Sequence, residues 1–197
     1  MFWLALGYPL LAHLAVVFHD WRLEWAALVW LLAISLAGAL RARRRWAWTV
    51  LGAGALLLYG LVVIGHGRYA LYAPPALIPA ALFILFAQSL RSGATPLITR
   101  VATAMRGEPL PHPLVGYTRH VTVLWCGVFV VMFASAISLA LWASPELWSL
   151  MTNVVHYLVL GAIFVLEFAY RRIRYAQLEP WGLFEFLRRL VRTNIRM

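Results

Sequence analysis

Between Phe2 and Tyr170 the chain offers six apolar stretches, about 2–18, 23–40, 46–65, 72–90, 120–142 and 147–170. Each approaches the roughly 20 residues that a helix needs to cross the hydrocarbon core of a bilayer. Composition agrees, with 63% of residues hydrophobic and 12% charged, against roughly 25% charged in an ordinary soluble domain. A chain this short cannot bury so much apolar surface in its own interior, so its solvent is largely lipid. The expected fold is all-α and polytopic: six transmembrane helices over 1–175, followed by a basic amphipathic tail over 176–197.

The connectors alternate in charge. All seventeen basic residues are arginine, and fifteen of them follow the second, fourth and sixth stretches or lie in the tail, whereas the opposite side has only Arg22 and Arg68. Arginine excess marks the cytoplasmic side of short loops, which places both termini in the cytoplasm. Aromatic rings cluster at both ends of the stretches, Trp21, Trp25, Trp142 and Trp148 outside and Trp46, Tyr117 and Tyr170 inside, as amphipathic rings prefer headgroup layers. The first stretch carries Pro9 but no charged leader, so it reads as a retained span rather than a cleaved signal. Pro74 and Pro75 are expected at the entry of the fourth span, where a missing N–H costs little.

The longest connector, RSGATPLITRVATAMRGEPLPHPLVGYTR, spans 91–119. Thr95 as N-cap, Pro96 at the first helical position and Gly107 as a stop predict a short interfacial helix over about 95–106. Leu97, Val101 and Met105 share its apolar face. The EPLPHP that follows reads as a stiff extended strap leading to the fifth span, because each proline restricts both itself and its neighbour. In the tail, Trp181, Phe184, Leu187, Leu190 and Val191 form an apolar face flanked by Arg188, Arg189 and Arg192.

Chemistry is bounded mostly by exclusion. One aspartate, Asp20, is too few for aspartate-rich transferase sites, and HExxH and GxSxG motifs are absent. The absence of lysine excludes Schiff-base chemistry. The lone Cys126 permits no intrachain disulfide and no cysteine-based metal site. No cofactor and no metal are expected. The basic charge is read as membrane and partner docking, not nucleic-acid binding.

Intramembrane polar residues are costly and often functional. Here they are His13, Gln88, Asn153, His156 and Glu167. His13 with Asp20, Asn153 with His156, and His19 and His66 at helix ends would either fix helix packing by hydrogen bonds or line an outward polar cavity. Glu167 precedes Arg171 by four residues, a favourable helical pairing. Its alternatives are contacts with Arg91, Arg100 or Arg119 that would pin the inner loop. Arg91, Arg100, Arg119 and Arg171 are candidates for binding an anionic lipid or partner. His112, His120 and Glu167 are the candidates for acid–base catalysis.

The segments PLITR (96–100), YTRHVTVLW (117–125), WSLMTN (148–153) and EFAYRR (167–172) resemble an uncharacterised family of small bacterial inner-membrane proteins. That family is encoded among the genes for aryl polyene and xanthomonadin-type pigments. The resemblance covers roughly 80–172. It implies a place in lipid-linked pigment biosynthesis, with acyl carrier proteins or other pigment-biosynthesis enzymes as partners, and it singles out Pro96, Arg100, Tyr117, Arg119, Trp148, Asn153, Glu167 and Arg171. The ketosynthase label sometimes attached to the family does not suit this chain, whose only cysteine lies inside a span.

Three functions follow. The first is an accessory protein of aryl-polyene-type lipid biosynthesis, presenting a basic face to acidic partners or anionic lipids. The second is a lipid or small-molecule transporter or flippase component. The third is an integral membrane acyl- or glycosyl-type transferase using His112 or His120 with Glu108 or Glu167. Substrate and oligomeric state stay open.

Overall fold

Proline and glycine positions account for much of where the helices begin and end. The computed structural model describes residues 2–178, with side chains from Gly7 onward. The helices are α1 (Phe2–Phe18), α2 (Trp21–Ser35), α3 (Ala37–Arg41), α4 (Arg45–Val63), α5 (Gly67–Gln88), α6 (Leu97–Arg106), α7 (His112–Trp142), α8 (Pro145–Leu150) and α9 (His156–Arg174). A π-helical turn, Met151–Val155, joins α8 to α9. There is no strand among the described residues. Most of the expected tail, 179–197, lies outside them.

Four helical runs are long and apolar enough to cross a membrane: Arg45–Val63, Gly67–Gln88, His112–Trp142 and Pro145–Arg174. Only 11% to 22% of their apolar windows is buried inside the protein, so most of that surface needs lipid as its solvent. The first two expected spans are shorter. The apolar part of α1 covers Gly7–Phe18, and α2 stops at Ser35. Leu36, at ψ −1°, interrupts the helical run between α2 and α3. The bonds from Leu36 N to Leu32 O and from Leu40 N to Leu36 O keep the backbone nearly helical through it.

Several boundaries differ from the sequence reading. The helix that carries the expected fifth span opens at His112, so the last two residues of the supposed strap, His112 and Pro113, belong to the first turn of α7. Pro113 fits there because first-turn N–H groups have no intrahelical partner to lose. Pro74 and Pro75 lie inside α5, not at its entry, because the helix starts at Gly67. The cap of α6 is Pro96, without a side-chain bond from Thr95. Gly107 ends α6 as expected, at φ 75°, a conformation that glycine adopts without a Cβ clash. Asp20 caps α2 by accepting from Arg22 N at 2.8 Å, which gives that lone aspartate a local role. Ser144 caps α8, with Pro145 in its first turn. Trp142 is 81% exposed, but Trp148, expected as an interfacial ring too, is only 1% exposed and belongs to the core.

The chain divides into two compact units, Met1–Leu77 with Met132–Leu158, and Ile78–Val131 with Val159–Met197. In the first, α1 packs on α2, α2 on α4, and α8 with the π turn on α1. Its core gathers Tyr8, Ala12, Val16, Ala27, Leu28, Val62, Leu71 and Trp148. Small residues let the backbones approach closely. A Cβ on Gly7 would sit 2.6 Å from Trp30 Nε1, and one on Gly54 would sit 2.5 Å from Leu32 Cδ2.

Gly67 is the tightest of these positions. A Cβ there would meet Glu24 Oε2 at 2.5 Å, Val62 Cγ2 at 2.6 Å and the Val62 Cα at 3.2 Å. Side-chain ends can swing aside, but backbone cannot do so without shifting a helix. Gly67→Ala should therefore destabilise by about 1 kcal/mol or more through overpacking. Gly52→Ala, with open space around its Cβ, should be neutral or stabilising by a few tenths, since alanine favours helix. Thermal unfolding of both variants in the same detergent checks the contrast; equal midpoints would refute it.

Candidate functional site

Two polar clusters emerge, one in each unit. In the first unit, Ser149 joins two of the expected intramembrane residues. His13 Nδ1 lies 3.1 Å from Ser149 Oγ, and Asn153 Nδ2 donates to the same oxygen at 3.2 Å. Asn153 and Ser149 are buried, and the Asn153 Oδ1 and Trp148 Nε1 atoms are buried without a hydrogen-bond partner. His156 is held separately, its Nε2 lying 2.9 Å from Ser135 Oγ. His19 pairs loosely with Glu146 at 3.5 Å in an exposed position. No group of three or more histidine, cysteine, aspartate or glutamate side chains suited to a metal occurs among the described residues.

The second unit is built around α6. Three contacts hold this helix down. Leu97 N donates to Ser89 Oγ at 2.9 Å, at the end of α5. The Thr99 and Thr118 hydroxyls meet at 2.7 Å, tying its middle to α7. Arg106 Nη1 donates to Leu178 O at 2.7 Å, just beyond α9. Leu97, Thr99 and Met105 are buried by this docking. Beneath α6 lies a groove of about 330 Å³, lined by Leu97, Val101, Phe86, Trp125, Phe129 and Phe164 among others, with Glu167 and Arg171 as its charged members. Phe86 meets Phe129 edge-on at 5.2 Å, and Trp125 lies 5.7 Å from Phe129.

The charged members form a largely buried cluster with Tyr117, which is half-buried. Tyr117 OH donates to Glu167 Oε1 at 2.9 Å, and Arg171 Nε lies 3.3 Å from the same oxygen. The Arg171 and Glu167 side chains are 8% and 13% exposed. Tyr117 stacks on Tyr170 at 5.9 Å and tilts against Tyr175 at 5.1 Å. This is the Glu–Arg clamp expected from spacing, with a tyrosine added. A second groove, of about 510 Å³, borders Tyr117, His120, Glu167 and Tyr170. Glu167 thus lines both grooves.

The chain matches no family model, no curated protein and no solved structure.

The remaining candidates fall as follows. Gln88 and Arg100 line one pocket together. Arg91, Arg119, His112 and His120 are exposed. Glu108 pairs with Arg106 at 2.9 Å rather than with a histidine. Glu167 is engaged by Tyr117 and Arg171. Neither His112 nor His120 has a hydrogen-bonded carboxylate among the described residues, so the geometry assembles no acid–base pair there. Sequence reasoning passed over Ser149, Thr118 and the groove aromatics. The spacing of four between Ser149 and Asn153 was a readable helical signal; the convergence of aromatics from α5, α7 and α9 was not.

Proposed function

We propose that this chain is an accessory integral protein of the bacterial inner membrane in aryl-polyene or xanthomonadin-type lipid biosynthesis. In this reading it crosses the membrane six times with both termini in the cytoplasm, and its second unit holds the long chain of an amphiphile. The observation that carries it is the groove under α6, whose wall is mostly apolar and unusually aromatic. Aromatic faces offer large contact area to a flat or flexible hydrocarbon chain, and a few polar groups at one side are what orients a bound amphiphile. Arginine excess on the proposed cytoplasmic side supports a surface for anionic lipids or for acidic partners such as acyl carrier proteins. The four sequence segments quoted above support the pigment context.

The test is lipid carried through purification. Mass spectrometry of the protein in a mild detergent should find a chain-bearing amphiphile bound. Ala102→Phe, which fills the groove wall, should lower its occupancy about tenfold, equivalent to roughly 1.4 kcal/mol. Equal occupancy in the filled variant would sink the groove as the binding site. Deletion of the gene should lower pigment yield or its membrane association; unchanged pigment would remove the biosynthetic context.

A transport reading has one specific observation behind it. The π turn Met151–Val155 sits beside the His13–Ser149–Asn153 chain, and π turns inside helices recur at functional sites. Accumulation of finished product in the inner membrane of a deletion strain would favour transport over the accessory role.

A further inference from the structure

Near the start of α6, an open pocket of about 390 Å³ is lined by Leu85, Gln88, Ser89, Ala94, Thr95 and Arg100. It shares α5 and α6 with the groove, on neighbouring faces of both helices. Its polar wall is unusual for what it lacks. No carboxylate lines it. Arg106 and Arg171 each hold a glutamate, whereas Arg100 has no ion pair among the described residues, and its Nε is buried without an acceptor. The Gln88 amide and Thr95 hydroxyl lie on its exposed side and make no side-chain hydrogen bond among the described residues.

A guanidinium nitrogen taken out of water without an acceptor is costly, and an anion is the group that offsets the cost. The Ser89 hydroxyl is already committed, donating to Phe86 O at 2.7 Å and accepting from Leu97 N at 2.9 Å. It shapes the wall and fixes the start of α6. Arg100, one turn on, is therefore held in place by docked backbone; its own N–H bonds Pro96 O at 3.0 Å. Three groups remain with donors to give: the Arg100 fork, the Gln88 amide and the Thr95 hydroxyl. Donors from two chain segments suit a tetrahedral oxyanion, and the planar fork of arginine matches phosphate oxygens pairwise.

We propose that Arg100, Gln88 and Thr95 form a phosphate-binding site, taking the phosphate of a lipid headgroup or of a free phosphate ester. The proposal rests on the membrane reading above and adds the headgroup chemistry to it. An amphiphile with its phosphate here has the aromatic groove within reach for its chain.

Binding is measured in a non-ionic, phosphate-free detergent with three probes: dioctanoylphosphatidylglycerol, dioctanoylglycerol and inorganic phosphate. The wild type should bind the phosphatidylglycerol at least tenfold more tightly than the phosphate-free dioctanoylglycerol. Arg100→Gln should abolish that preference, Arg100→Lys should recover only part of it, and Thr95→Val should weaken it severalfold. Arg172→Gln, exposed and outside the pocket, should change it less than twofold. Stabilisation by inorganic phosphate that vanishes in Arg100→Gln would identify a free phosphate ester as the ligand; response to the lipid alone would identify a headgroup. Equal loss in Arg172→Gln and Arg100→Gln would mean diffuse charge attraction and overturn the site, as would no phosphate preference in the wild type. Ala102→Phe should weaken both lipids alike and leave the preference intact, so failure of the groove and failure of the phosphate site give different results. If Arg100→Gln does not fold, loss of preference in Thr95→Val and Gln88→Leu decides the matter, and full preference in both overturns it.

Discussion

Glu167→Ala should lower stability by about 3 kcal/mol, the lower end of what breaking a buried ion pair costs. The carboxylate accepts from Tyr117 OH and faces Arg171 Nε. Removing it takes the carboxylate at 3.3 Å away from the Arg171 guanidinium, which is 8% exposed, and deprives the Tyr117 hydroxyl of its acceptor. Glu167→Gln keeps an acceptor in place and loses only the charge, so its cost should be less than half as large. The decisive comparison is the double variant Glu167→Leu with Arg171→Leu. Buried pairs replaced on both sides by apolar residues are often neutral, so the double variant should regain most of what Glu167→Ala loses. Unfolding in mixed detergent–SDS micelles reads all three. If Glu167→Ala and the double variant were equally destabilised, the cluster would matter for shape rather than for charge. Glu167 lines both grooves, so the loss should also reduce bound amphiphile.

That cluster shows what was legible and what was not. The spacing of Glu167 and Arg171 specifies a pair on one helix, because residues four apart face each other. Tyr117 is fifty positions away, and nothing in a periodic apolar pattern says which helix will bring it. Local punctuation was readable for the same reason: Gly107, Ser144 with Pro145, and Asp20 act within one turn. It misled where two local rules competed. Pro74 and Pro75 suggested an entry, yet α5 starts at Gly67, and the apolar content of that stretch outweighs the missing donors. Pro113 suggested a strap, yet it serves as part of a first turn. The groove was the least legible feature. Phe86, Trp125, Phe129 and Phe164 each look like ordinary lipid-facing residues, and only the docking of α6 through Ser89, Thr118 and Leu178 turns them into a wall.

Trp148→Ala should cost about 3 kcal/mol, since deleting a buried tryptophan both removes contacts and leaves a cavity. The ring meets Tyr72 edge-on at 4.3 Å and belongs to the same core as Tyr8, Ala12 and Leu71. Its place at the outer end of a stretch made it an interfacial ring; instead its indole N–H is buried and finds no acceptor. Two opposing effects therefore act in Trp148→Phe. Volume is lost, which destabilises, while an unsatisfied donor is removed, which recovers about 1 kcal/mol or more. That variant should fall within about 1 kcal/mol of the wild type, and SDS titration of both variants distinguishes the terms. Should Phe prove as costly as Ala, the indole N–H has an acceptor in the membrane-embedded protein. The position also bears on the transport reading. Ser149 follows Trp148 directly and holds both His13 and Asn153. Loosening α8 by Trp148→Ala should therefore disturb that hydrogen-bonded chain, whereas Trp148→Phe, by keeping the helix packed, should leave it intact.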